Sequence, residues 1–180
     1  MSGVLHACSG GDGGDGEYRF WLSSRGDLVR GRVRSSKGGP GQPLVVVAAP
    51  GGGADHPWVD ALFAAWSEWA ALVALDLPLC GSRRSDKLSE YGLDPGHAIA
   101  AQIRGDLESQ LAADLAAVVE LVRGRDRPRP ACVSLVASGP TAQWAEAAAR
   151  KAGGFDPVLV SAESDPDEAW LLDAATRIRP

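Results

Sequence analysis

The chain has 180 residues, 45% of them apolar and six of them tryptophan, which suits one domain with a sizeable core. A formal charge of -5 leaves no basic footprint for nucleic acid, and no apolar run is long enough to span a bilayer. Cys8, Cys80 and Cys132 are odd in number and far apart, so neither a disulfide framework nor a zinc site is expected, no cofactor is indicated, and a reducing cytoplasm is the default compartment.

Residues 1–16 are rich in glycine and aspartate and read as a disordered leader to a single domain over residues 17–180. Within the leader, Leu5-His6-Ala7-Cys8 looks like a lipoprotein cleavage box, but the apolar region that should precede it is absent; anchoring through Cys8 is the alternative to a cytoplasmic chain. From Tyr18 to Val33 apolar and polar residues alternate on both sides of Arg25-Gly26-Asp27, which predicts an antiparallel hairpin with an ordinary Gly-Asp turn. A Gly/Pro/Ser linker follows. Leu44–Ala48 is continuously apolar, as expected for a strand buried on both faces of a parallel sheet. It ends at Pro50-Gly51-Gly52-Gly53, whose backbone N–H groups could hold an oxyanion; the Gly-Lys-Ser/Thr ending of a P-loop is missing.

Val59, Leu62, Phe63 and Trp66 recur at helical spacing, so these aromatics belong to a core face. Ala71–Asp76 is the next buried strand, followed by the turn Asp76–Gly81. Residues 83–97 form a polar loop or lid segment. Leu107, Leu111, Leu115, Val118 or Val119, and Val122 then mark one face of a long helix, with Asp106, Glu108, Asp114 and Glu120 mostly on its solvent side. Residues 123–129 are a basic connector. Pro157–Ser161 is the last apolar strand, and an acidic turn leads into a short helix through Ile178.

Val133–Ala149 is the most informative stretch. An apolar strand stops at small and turn-forming residues, and an Ala-rich helix begins at once, which is the frame of a nucleophile elbow. The tip of such an elbow needs small residues two places to either side. With Ser138 at the tip the flanks are Val136 and Pro140, both bulky. With Gly139 at the tip they are Ala137 and Thr141, and no nucleophile is present. In that register the following residue, which would supply an oxyanion N–H, is Pro140 and has none. Ser138 stays open as an alternative nucleophile, since the Gly139 N–H would then be available.

In this order and spacing, the hairpin, V-V-V-A-A-P-G-G-G, D-L-P-L-C-G-S-R and V-S-L-V-A-S-G-P-T-A resemble the α/β-hydrolase superfamily, and within it the dienelactone hydrolase and acetyl xylan esterase-like branch. The resemblance covers roughly residues 18–167. It implies a three-layer α/β/α sandwich around a mostly parallel sheet of about six strands with the hairpin leading, and an oxyanion loop at Gly51, Gly52 and Gly53. It also implies a serine hydrolase of esters by descent. The departures are specific: Pro50 and Cys80 stand where the family has histidine, Gly139 stands where it has serine, and the last two strands, with the acid and histidine of the triad, are expected to be missing. His56, near a strand's carboxyl end, and Cys80 could in principle form a thiolate–imidazole pair, although a packed thiol beside a surface imidazole is the ordinary reading.

Three expectations compete. The first is a catalytically incomplete hydrolase-like protein whose cleft holds a small acyl or ester compound. The second is an esterase using Ser138, the Gly51–Gly53 loop and a histidine from elsewhere. The third is an interaction module in which the exposed edge at Pro157–Ser161 pairs with a second copy.

Overall fold

The computed structural model describes residues 5–6, 16–38, 41–49, 53–86, 98–125, 129–139, 142–163 and 166–179. At the start of the sheet, β1 (Leu5–His6) runs antiparallel to β2 (Glu17–Ser24), which pairs along its whole length with β3 (Asp27–Arg34). The hairpin predicted by alternation therefore forms. Its turn is Arg25-Gly26, with φ +52° and +85°, the left-handed pair that matches the twist of two antiparallel strands. Asp27 begins β3, so the Arg-Gly-Asp triplet is split between turn and strand.

Three apolar runs become central strands: β4 (Leu44–Ala48), β5 (Ala71–Leu75) and β6 (Val133–Ser138), with β7 (Val158–Ser161) following. The order across the sheet is β1-β2-β3-β5-β4-β6-β7; pairs from β5 to β7 are parallel, and β3 joins β5 antiparallel. Seven strands stand where about six were expected. The additional one is β1, two residues with no pattern to announce it; the rest of residues 1–15, including Cys8, lies outside the described residues.

Helices cover both faces, giving the α/β/α sandwich. Leu44, Val46 and Ala48 point to the side of α2 (Ala98–Arg125) and α3 (Ala142–Ala152), where Leu111, Leu115, Val118, Ala145 and Ala148 close the core. Val45 and Val47 point to the opposite side, against Val59, Leu62, Phe63 and Trp66 of α1 (Pro57–Trp66) and Ala174, Ala175 and Ile178 of α4 (Glu168–Ile178). Strict alternation within continuously apolar strands is what a sheet buried on both faces requires.

α1 starts where the sequence supplies both halves of an N-terminus. Pro57 occupies the first turn and His56 caps it, its Nδ1 accepting from the Trp58 N–H at 3.2 Å. At α4 the Asp167 carboxylate accepts from the Trp170 N–H at 2.8 Å. One expectation for α2 fails. Asp106 and Glu120 are exposed, but Asp114 is wholly buried, because Arg83 from the loop after β5 reaches it at 2.6 Å. The predicted lid segment falls largely in residues 87–97, outside the described residues.

Candidate functional site

The carboxyl ends of β4, β5 and β6 face the same edge of the sheet, where parallel α/β folds place their ligands. Two loops leave that edge. After β4 the chain makes a 3-10 turn at Gly53–Asp55, and after β5 another at Gly81–Arg83. Between them lies Asp76, with no solvent exposure. Its Oδ1 accepts from the Ala54 N–H at 2.8 Å, and its Oδ2 accepts from the Ser82 N–H at 2.8 Å and the Ser82 hydroxyl at 2.5 Å. Arg30 Nε of β3 completes the set at 3.2 Å. A buried carboxylate is tolerated when its lone pairs are met in this way.

Two glycines let the loops approach this carboxylate. A Cβ at Gly53 or at Gly81 would lie 2.3 Å from Asp76 Oδ1, and their φ angles are +59° and +54°. Residues 50–52, which include Gly51 and Gly52 of the predicted oxyanion loop, lie outside the described residues. Of that loop Gly53 is placed, folded onto Asp76.

A second cluster holds the later turn from outside. Arg83, 6% exposed, donates from Nη1 to Asp114 Oδ2 and to the Asp76 carbonyl at 3.2 Å, and from Nε to Asp27 Oδ2 at 2.8 Å. Its Nη2 also contacts Asp27. Gln110 bridges Asp114 Oδ1 (2.8 Å) and the Ser24 carbonyl (3.1 Å). One guanidinium thus ties together the hairpin turn, the loop after β5 and the long helix. On the neighbouring face Arg32 meets Glu17 and Asp60 and lies over the Phe63 ring. Burial disfavours its charge, but the hydrogen bonds with Asp60 and Glu17 outweigh burial, so its pKa lies above the ordinary arginine value.

At the elbow, β6 runs through Ser138 and the chain turns at Gly139, φ +75°. The Gly139 N–H points at the neighbouring strand's exit, donating to the carbonyls of Ser161 (3.0 Å) and Glu163 (2.8 Å), and the Gly139 carbonyl accepts from the Ala142 N–H at 3.0 Å. Ser138 is wholly buried within the strand, and its Oγ has no hydrogen-bond partner among the described residues. Pro140 and Thr141 lie outside the described residues.

His56 and Cys80 follow adjacent strands, β4 and β5. The imidazole is engaged by α1 through Nδ1, and the Cys80 thiol is 1% exposed at the entry to the second 3-10 turn. Among the described residues no group of three or more His, Cys, Asp and Glu is placed to hold a metal ion.

Sequence reasoning nominated the glycines and missed what they enclose. The signals were Asp76 at a strand's end followed five residues later by Gly81, and a second glycine cluster after the neighbouring strand. Only the strand order reveals that both serve one carboxylate.

No model of a known protein family matches the sequence, and no curated protein matches it. Solved structures match in fold. A cold-adapted esterase from an Arctic intertidal metagenomic library, solved with PEG bound, aligns with a TM-score of 0.62 at 18% identity, covering 80% of this chain and 59% of that one. A lidless α/β serine hydrolase from Xanthomonas campestris gives 0.54 at 15% identity over 88% and 77% of the two chains. An acetyl xylan esterase from Paenibacillus sp. R4 gives 0.50 at 18% identity over 82% and 49%. The chain therefore spans 59% and 49% of the length of these two esterases. With the strand order, the two helical layers and the elbow between β6 and α3, these likenesses identify the chain's architecture as an α/β-hydrolase-like fold.

Proposed function

We propose that this chain is a non-catalytic relative of the serine esterases, holding a small acyl or ester compound at the carboxyl edge of its sheet without cleaving it. One observation carries the reading: the residue that turns the chain between β6 and α3 in a left-handed conformation is Gly139, with no side chain to attack an acyl group, while Ser138 is packed in the strand before it. Serine hydrolases of this fold place the nucleophile at that turn and take an oxyanion N–H from the residue after it. Here that next residue is Pro140, which has no N–H to give. The widely spaced cysteines favour the cytoplasm as its compartment; among the described residues no helix is long and apolar enough to cross a membrane.

A second reading, an esterase attacking through Ser138, draws on that residue's unpartnered hydroxyl. Exposure of the chain to a fluorophosphonate probe, with peptide mapping, separates the two. The proposed reading expects no labelled serine, and no hydrolysis of p-nitrophenyl acetate beyond that of a Ser138→Ala variant. A label on Ser138 that disappears in the variant would overturn it. Line broadening of phenyl acetate resonances on adding the protein tests the retained cleft.

A further inference from the structure

Among the described residues, two polar side-chain atoms without a hydrogen-bond partner belong to residues closed off from water: Ser138 Oγ and the indole Nε1 of Trp58. The others, Arg34 Nε, Trp69 Nε1 and Arg104 Nε, belong to residues that are only half-buried. A native core rarely leaves such groups unmet, so a pair of them asks for a cause.

Strand register places the two at the same end of the same face. Val136 of β6 faces the apolar cluster built on α1, and alternation turns Ser138, the last residue of the strand, to that side as well. On β7 Leu159 faces the same cluster, so Ser161, the register partner of Ser138, follows it. α1 and α4 both begin at this carboxyl edge. Trp58 is the second residue of α1 and Trp170 the third of α4, with ring centroids 6.3 Å apart. Ala49 and Ala54, before and after the glycine loop, belong to this cluster too. Two indole rings and four small side chains therefore share one end of one face.

The chemistry of that set is narrow. An indole N–H can only donate and a hydroxyl can donate, so one oxygen with two lone pairs can satisfy both. The helix starts do not compete for it: His56 accepts from the Trp58 backbone N–H, and Asp167 accepts from that of Trp170. No lysine or arginine belongs to the set, and Asp167 and Glu168 open α4 at this edge, so an anion finds no countercharge there. A carbonyl oxygen of a neutral compound fits.

We propose that Trp58 Nε1–H and Ser138 O–H together hold the carbonyl oxygen of a small neutral ester or amide on the α1 side of the sheet, its apolar part lying against the two indole rings. This rests on the reading of the chain as a non-catalytic holder of acyl compounds, and it assigns the ligand's charge class and the two donors. Ser138 is then a donor to the carbonyl oxygen, not an attacker of the carbonyl carbon, and no bond is broken. Because both donors are shut away from water, a compound without the acceptor leaves both unmet, and the site rejects it.

Proton–nitrogen NMR of the 15N-labelled chain reads the indole N–H signals, and the signal lost in Trp58→Phe identifies Trp58. On titration with phenyl acetate this signal moves downfield and saturates, whereas acetate ion leaves it in place. Trp58→Phe and Ser138→Ala, with folding checked by circular dichroism, each weaken binding about three- to tenfold, the loss of one hydrogen bond. Trp69→Phe, which removes the unpartnered indole N–H beyond the far end of α1, leaves binding unchanged. Ser138→Ala removes a single oxygen and decides the matter even where Trp58→Phe does not fold. Phenyl acetate that binds without moving the Trp58 signal, or that binds Ser138→Ala as tightly as the wild type, would overturn this inference and leave the proposed function standing. No binding of phenyl acetate would overturn both, and an equal response to acetate ion would overturn the neutral class of ligand.

Discussion

A carboxylate without access to water must be solvated by protein, and Asp76 shows how few residues that takes: two backbone N–H groups, one hydroxyl and one guanidinium. Hydrogen bonds to a charged group contribute about 1.5–3 kcal/mol each. Asp76→Asn replaces an acceptor oxygen with an NH2 that faces donors, so we expect a loss of about 3 kcal/mol in urea unfolding. Asp76→Glu should also destabilise, because the two loops leave no space for a methylene. The glycines make the sharper comparison. Gly26 has a left-handed φ of +85° and nothing within 4 Å of an added Cβ, so Gly26→Ala should cost only the conformational penalty of about 1–2 kcal/mol. Gly53→Ala and Gly81→Ala incur that penalty and also a 2.3 Å approach to Asp76 Oδ1. Both should unfold at clearly lower temperature than Gly26→Ala; equal melting temperatures for all three would remove Asp76 as the hub.

Among the elements, local pattern told most of the story. The alternation of residues 18–33, the unbroken apolar runs at Leu44 and Ala71, and the spacing of Val59, Leu62, Phe63 and Trp66 each produced the element they foretold. Each depends only on neighbours in sequence. Asp114 was misread for the same reason. Helical spacing assigns a carboxylate to the solvent face unless something opposes it, and here the opposing group, Arg83, lies 31 residues away. The short β1 had no pattern to read. The elbow was legible as strand, turn and helix, whereas the partners of the Gly139 N–H, Ser161 and Glu163, come from the next strand and required the sheet. Arg83 gives the test at this scale. Arg83→Ala strands the buried Asp114 and should cost about 3–5 kcal/mol, while Arg83→Leu combined with Asp114→Leu should recover most of that loss. A double variant no more stable than Arg83→Ala would mean the pair acts by packing alone. Arg83→Lys should also destabilise, since an ammonium cannot reach Asp27 and Asp114 together in the same fork.

For the whole molecule, both helical layers are built on one set of strands, so neither apolar cluster can survive without the other. Val46 belongs to one cluster and Val45 and Val47, its immediate neighbours, to the other. Unfolding should therefore be a single transition, with tryptophan fluorescence, which reports chiefly on Trp58 and Trp66 of α1 and on Trp144 of α3, coinciding with the loss of helical circular dichroism. Separate midpoints would show that one layer detaches first. The resemblance carried by the glycine loop after β4, the turn Asp76–Gly81 and the elbow did reach this scale: it implied the α/β/α sandwich, and solved structures at 18% identity or less match the chain in fold.

The segments leaving β4 and β5 do not have independent freedom. Because Ala54 and Ser82 are moored to the two oxygens of a single carboxylate, pulling either one outward tugs on the anchor of the other. A molecule wedged between these rims would have to shift both as a unit or neither, which makes this mouth of the protein behave as a stiff collar rather than as a pair of lips.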